Sequence, residues 1–172
     1  MDQFITYETE RLILKPTSLK DAAFVKELLN TPKWLQFIGD RKVTDIKSAE
    51  VYINTNMLPA FKKNGFGNYT VIRKSDMVKI GCCGLYDREG VDGIDIGFAF
   101  LSEYENQGYA LESSSKMKEI GVSYFGLSQI SAITNPENEG SQKLLEKLDM
   151  SFSEMITLPN SNEELMLYKW NS

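Results

Sequence analysis

The residues that could do chemistry in this sequence gather at one turn. From Ile94 to Ala110 the chain reads IDIGFAFLSEYENQGYA, an alternating strand that runs into a glycine turn; residues of helical composition follow from Leu111 to Phe125. A helix N-terminus leaves backbone N–H groups unpaired and carries a partial positive charge, so it can hold a phosphate or pyrophosphate without a basic side chain. Gln107, Gly108, Tyr109, Ala110 and Leu111 are the candidate cradle. Gly108 lets the backbone approach a ligand closely, and Ala110 keeps the next contact small. In the strand, Ile94, Ile96, Phe98 and Phe100 share one face while Asp95, Gly97 and Ala99 share the other, nearly bare one. A bare face either packs against a close neighbour or leaves room for a bound molecule, and the strand alone leaves both readings open.

A second stretch belongs beside the first. Ile130 to Thr134 reads as a strand, Asn135-Pro136 as a breaker, and Asn138 to Met150 as a short amphipathic helix whose buried stripe is Leu144, Leu145 and Leu148. Asn138 stands where an N-cap belongs, so it either only caps that helix or also meets a ligand. Two familiar phosphate-binding patterns are excluded. A P-loop needs a Lys-Ser/Thr pair after its glycines, which Tyr109-Ala110 cannot supply. A dinucleotide fingerprint needs further glycines and an acid about twenty residues on, where Gly126-Leu127-Ser128 stands instead.

The rest of the composition narrows the chemistry. The chain has no histidine, which removes the commonest general base and the commonest metal ligand together. Acid–base work must therefore fall to carboxylates, hydroxyls, backbone or water, and no metal is expected. The two cysteines, Cys82 and Cys83, are adjacent in an apolar strand-like run, point to opposite faces and match neither a metal spacing nor a redox motif. A net charge of −5 argues against a nucleic-acid partner and suits a cationic substrate, although solubility accounts for it equally well. With 172 residues and 42% hydrophobic content, no linker and no bilayer-length apolar run or signal pattern, residues 1–172 are expected to form a single cytoplasmic domain that does not engage a membrane, as a monomer or homodimer.

The elements that must position these residues follow from periodicity. A strand is expected from Ile5 to Lys15, and a helix from Ser18 with Asp21 as its capping-box partner. A loop carries Trp34, Phe37, Ile38 and Gly39, and a helix runs from about Thr44 to Lys63. Strands are expected at Asn68 to Arg73, Val78 to Tyr86 and Ile94 to Leu101, then a helix from near Gln107 and a strand from Ser128 to Thr134. The helix from Asn138 and strands at Phe152 to Thr157 and Glu164 to Trp170 complete the chain. The order β-α-α-β-β-β-α-β-α-β-β is that of a mixed α/β (α+β) sheet.

Taken in order, these pieces resemble the GNAT acyltransferase superfamily, and within it the RimJ/RimL-like N-acetyltransferases. The resemblance covers nearly the whole chain: Glu8-Thr9-Glu10-Arg11-Leu12-Ile13-Leu14-Lys15-Pro16, Lys79-Ile80-Gly81, Gly84-Leu85, Ile96-Gly97-Phe98, Gln107-Gly108-Tyr109-Ala110-Leu111-Glu112, then Asn138, Ser141 and Leu145-Glu146-Lys147-Leu148. It implies a strongly twisted sheet of about seven strands flanked by about four helices. It also implies direct transfer of an acetyl group from acetyl-CoA to a primary amine, both bound at once. The cradle would hold the pyrophosphate and the strand through Phe98, Ala99 and Phe100 the pantetheine arm. That strand would splay from Ser128 to Thr134, freeing an N–H near Phe98 or Ala99 to polarise the thioester carbonyl.

Further roles follow from the same resemblance. Asn138 would orient the arm or the amine, and Asp95 would act as general base, where the family often carries Glu; a solvated strand acid is the other reading of Asp95. The sequence departs from the family at Glu105 and Asn106, where Arg, Gln or Trp followed by Gly is usual, and at Asp149-Met150, where Gly-Phe is usual. Leu145 also replaces the tyrosine that often protonates the leaving thiolate, which leaves Ser141 as the donor. Trp34 and Phe37, with the last hairpin near Pro159 to Glu163, are expected to wall the amine pocket, and core packing is the competing account of both aromatics. The acceptor would be a protein N-terminus, or else a polyamine or aminoglycoside; a CoA-binding sensor or interaction module without turnover is the remaining alternative.

Overall fold

In the N-terminal segment, Thr9 reverses the chain where the apolar alternation predicts one continuous strand. The Thr9 N–H donates to the Leu12 carbonyl at 2.9 Å, and the Leu12 N–H donates to Thr9 Oγ1 at 3.0 Å. The segment is therefore a hairpin of β1 (Tyr7–Glu8) and β2 (Leu12–Pro16), which raises the strand count to eight. This is seen in a computed structural model that describes residues 4–172. The other strands are β3 (Asn68–Arg73), β4 (Val78–Asp87), β5 (Ile94–Phe100), β6 (Gln129–Thr134), β7 (Ser151–Thr157) and β8 (Glu164–Asn171). They form one mixed sheet in the order β1-β2-β3-β4-β5-β6-β8-β7, antiparallel everywhere except between β5 and β6.

The helices are α1 (Ala22–Leu29), α2 (Pro32–Phe37), α3 (Ile46–Tyr52), α4 (Leu58–Asn64), α5 (Tyr109–Ser123) and α6 (Glu139–Lys147). Two of these differ from expectation. The segment with Trp34 and Phe37 is helical because Thr31 caps it, its side chain accepting the Trp34 N–H, and because Pro32 supplies a preset φ at the first helical position. The helix expected from Thr44 to Lys63 is interrupted by a π turn at Ile53–Met57, just upstream of Pro59. Proline has no N–H to offer the preceding turn, and a wider turn absorbs the mismatch.

Burial divides into two clusters. Ile80, Leu85, Ile96, Phe100, Met117, Ile120, Ile130, Ala132 and Leu145 are among the residues that join the sheet to α5 and α6. Phe24, Val25, Leu28, Trp34, Ile53, Cys82 and Leu101 belong to the cluster under α1, α2 and α3, with Ala99 packed against it. The period-two reading of β5 is thereby observed: Ile96 and Phe100 serve one layer and Ala99 the other.

Candidate active site

The decisive feature of the sheet is a pairing that stops. β4 and β5 stay in unbroken register from Gly81↔Phe100 to Asp87↔Ile94, and the Leu101 N–H continues the ladder to the Ile80 carbonyl at 3.0 Å. On its other side β5 meets β6 only at Asp95↔Ser131 among the described residues. Beyond that bridge the two strands part, as the family resemblance implies. The ladder's alternation then says which groups are left over. Residues of an antiparallel strand send their N–H and C=O alternately to one neighbour and to the other. Because Leu101 bonds to β4, Ala99 does so as well, and Phe98 and Phe100 turn their amide groups toward the gap.

The turn after β5 supplies a second set of free donors. Asn106 and Gly108 both take left-handed conformations, with φ of 56° and 82°. The Glu112 N–H makes the first helical bond of α5, to the Gly108 carbonyl at 3.0 Å, so the N–H groups of Tyr109, Ala110 and Leu111 have no helical acceptor. Glu112 fastens this end of the helix to the N-terminal hairpin. Its carboxylate accepts from Thr9 Oγ1 at 2.6 Å, from the Arg11 backbone at 2.8 Å and from Arg11 Nε at 2.6 Å, while Arg11 Nη1 donates to the Gln107 carbonyl at 3.0 Å. Partial burial pushes the Glu112 carboxyl up, but these donors outweigh it and hold it below the ordinary glutamate value.

Both sets of donors border one cleft of about 230 Å³. The structure brings Phe98, Ala99, Phe100, Gly108, Ala110, Leu111, Asn138 and Ser141 into its lining together with Trp34 and Phe37. Asn138 does cap α6, its Oδ1 accepting the Ser141 N–H at 3.2 Å, which leaves the side-chain nitrogen as its remaining donor. Trp34 is at once core and cleft wall, and Phe37 is half-buried. Gln107 and Tyr109 are not in the lining. The Gln107 side chain donates to the Glu103 carbonyl at 2.8 Å, and the Tyr109 ring is buried with Arg11 stacked over it at 4.5 Å. What these two can offer a ligand is backbone. The last hairpin does not line the cleft either; Pro159 lies against Gly90, and Glu163 accepts from Asn135 at 2.6 Å.

Asp95 sits at the bridge where the strands part, 1% exposed and outside the cleft lining. Arg88 Nε lies 3.2 Å from its Oδ2, while Oδ1 has no hydrogen-bond partner among the described residues. Burial raises the carboxyl above the ordinary aspartate value, and the Arg88 guanidinium pulls it only part of the way back. Leu145 is 1% exposed in the core, so the position often held by a tyrosine contributes packing here. Burial also pushes Cys82 and Cys83 up to about 12, which keeps both as thiols. Among the described residues no cluster of His, Cys, Asp or Glu could hold a metal ion, and no helix is long and apolar enough to cross a membrane.

The residues missed by sequence reasoning lie on α2 and at the start of the glycine turn. Lys33 and Glu105 both line the cleft and form an ion pair. The Thr31-Pro32 cap was the available signal for the helix that carries Lys33.

Residues 11–151 match the profile of the acetyltransferase (GNAT) domain. The chain belongs to the GNAT acetyltransferase family. As a GNAT enzyme it is an acetyl-CoA-dependent N-acetyltransferase, and the fit is visible in the unpaired amides of the strand and the turn. The Bacillus subtilis N-acetyltransferase YnaD, itself uncharacterised, is 28% identical over 142 residues, or 83% of this chain and 80% of that one. The fold is shared with the ribosomal-protein α-N-acetyltransferase RimL solved with coenzyme A (TM-score 0.81, 14% identity, 97% of this chain and 98% of that one). It is shared equally with the Vibrio cholerae spermidine N-acetyltransferase solved with CoA and spermine (TM-score 0.76, 13% identity, 95% and 96%).

Proposed function

We infer that this GNAT enzyme acetylates the α-amine of a peptide or protein N-terminus. The observation that carries this is the lining of the cleft opposite the cradle: Trp34, Phe37 and Ile38 from α2 face it, and its one acid, Glu105, is already paired with Lys33. A polyamine or aminoglycoside brings several ammonium groups, each needing an anion when desolvated. Asp40, the acid nearest this wall in sequence, is paired with Lys42 and lies outside the lining. The exposed Leu35 and Ile38 extend the apolar surface along α2, which suits an N-terminal side chain.

The roles follow from the geometry. Bound acetyl-CoA supplies an activated acetyl thioester. The free N–H groups from Gln107 to Leu111 would hold its pyrophosphate, and the amides of Phe98 and Phe100 would pair with its pantetheine arm. The Phe98 N–H, which the ladder's alternation turns toward the gap, would polarise the thioester carbonyl, whereas Ala99 is engaged with β4. Asn138 would orient the arm or the amine through its remaining donor, and Ser141, one helical turn on, would relay to the leaving thiolate the proton that the attacking amine gives up as the C–N bond forms and the C–S bond breaks.

The amine must be neutral to attack. At pH 7 an α-amine of pKa near 8 is roughly 10% neutral, whereas a lysine-like amine near 10.4 is neutral only about 0.04% of the time. Asp95, with its raised affinity for a proton and its buried, unpartnered Oδ1, takes that proton through a water that joins it to the cleft. The test is turnover at fixed acetyl-CoA with a panel of N-terminal peptides, spermidine and an aminoglycoside. Peptide kcat/KM exceeding the polycations by at least about tenfold is expected. Preference for a polycation would overturn the peptide assignment while leaving the acetyltransferase in place.

A further inference from the structure

We propose that Lys33 is a phosphate ligand for the acyl donor, and that Glu105 holds it in place until the donor arrives. This rests on acetyl-CoA as the donor. Among the described residues, Lys33 and Glu105 are the only charged side chains that line the cleft. They come from different elements: Lys33 from the first turn of α2, Glu105 from the turn between β5 and α5. Glu105 stands beside the free amides of the cradle, where a carboxylate alone would repel a pyrophosphate. The ion pair with Lys33 cancels that charge and draws an ammonium group to the same place.

The two partners are not equally committed. The Lys33 side chain is 57% exposed and that of Glu105 is 23% exposed, so the cation swings on a long stem while the carboxylate is set by its turn. The cap of α2 by Thr31 fixes where that stem starts. A pyrophosphate on the cradle offers the ammonium more negative charge than one carboxylate does. Lys33 then bridges Glu105 and a phosphate, closing α2 against the donor. A lysine is a compact ammonium with several rotatable donors, which suits a group that must serve two anions.

The experiment compares binding of CoA with that of pantetheine, which has the arm but no phosphates, by calorimetry at low and moderate salt. Lys33→Met should weaken CoA about tenfold, less so at higher salt, and leave pantetheine within about twofold. Glu105→Gln should tighten CoA about threefold, and the double variant should recover part of the Lys33→Met loss because the repulsive carboxylate is gone. Equal losses for both ligands would make the pair a structural clasp for α2 and overturn the assignment, as would an unchanged CoA affinity. Wild-type protein that binds neither ligand would overturn the donor site itself, a result distinct from wild-type binding that Lys33→Met does not alter.

Discussion

The two walls of the cleft are made of different material. On the function proposed above, the donor wall presents backbone: amides of Phe98 and Phe100 left over by a sheet that stops pairing, and N–H groups left over by the start of α5. The acceptor wall would then present side chains, Trp34 and Phe37 on a six-residue helix and Ile38 at its end. A donor common to a whole family can be held by groups every residue possesses, with side-chain identity mattering only where conformation demands glycine. An acceptor that varies between relatives must be chosen by side chains, which can change without disturbing the sheet.

That contrast can be broken most sharply at Asp95, which lies outside the cleft lining, at the bridge where β5 and β6 part. If it is the base, Asp95→Asn should lower kcat by about a hundredfold with CoA affinity unmoved, and the acid limb of the pH–rate profile should disappear. In the wild type that limb should fall above the ordinary aspartate range, because burial raises the carboxyl. A loss under about threefold at every pH, roughly 0.65 kcal/mol of barrier, would remove Asp95 from the mechanism. The donor wall should fail at Gly108. With φ at 82° and Arg11 Nη2 only 3.1 Å from a would-be Cβ, Gly108→Val should weaken CoA by about thirtyfold in calorimetry, whereas the peptide KM should change little.

The acceptor wall should show the reverse pattern. Phe37→Ala is expected to raise the peptide KM by about five- to tenfold and leave CoA binding intact. Equal effects on both ligands would mean that the walls are not separable. The smallest effect concerns the fastening behind the donor wall. Glu112→Gln should cost about 1 kcal/mol at pH 7 in denaturant unfolding. Because hydrogen bonds hold Glu112 below its ordinary value, its contribution is present above that value and is lost as pH falls through the lowered one. Asp95 has the opposite sign. Its raised carboxyl favours the folded state below the ordinary aspartate value, and that contribution fades as pH rises through the raised one.

The strand, the glycine turn and the cap were legible in the sequence, and so were Trp34 and Phe37 as cleft residues, but the helix that carries those two was not. Glycine at a left-handed position, a strand of period two and an asparagine cap are local signals, and Gly108, Phe98 and Asn138 all stand where those signals put them. The parting of β5 and β6 is a hydrogen bond that is missing, which no local pattern records; only the family resemblance implied it. α2 is shorter than two full turns, too brief for apolar periodicity to rise above noise, so Lys33 was passed over and Trp34 was read as loop. The hairpin at Thr9 escaped because a threonine hydroxyl, not Gly, Pro or Asn, makes the turn. Asp95 was placed on the correct strand face, but its partner Arg88 comes from across the β4–β5 turn and reveals itself only once the chain is folded.

The single bridge at Asp95↔Ser131 makes the sheet incomplete in a way that water can report. Along one strand, Ala99 is locked into a ladder while its neighbours Phe98 and Phe100 face an open gap, so backbone deuterium uptake should alternate residue by residue: slow at Ala99, fast on either side. A bound pantetheine arm would take the place of the absent strand and slow the two fast amides. On that reading the donor would be the ninth strand of an eight-stranded sheet, and the protein would complete its own hydrogen-bond pattern only when it is ready to react.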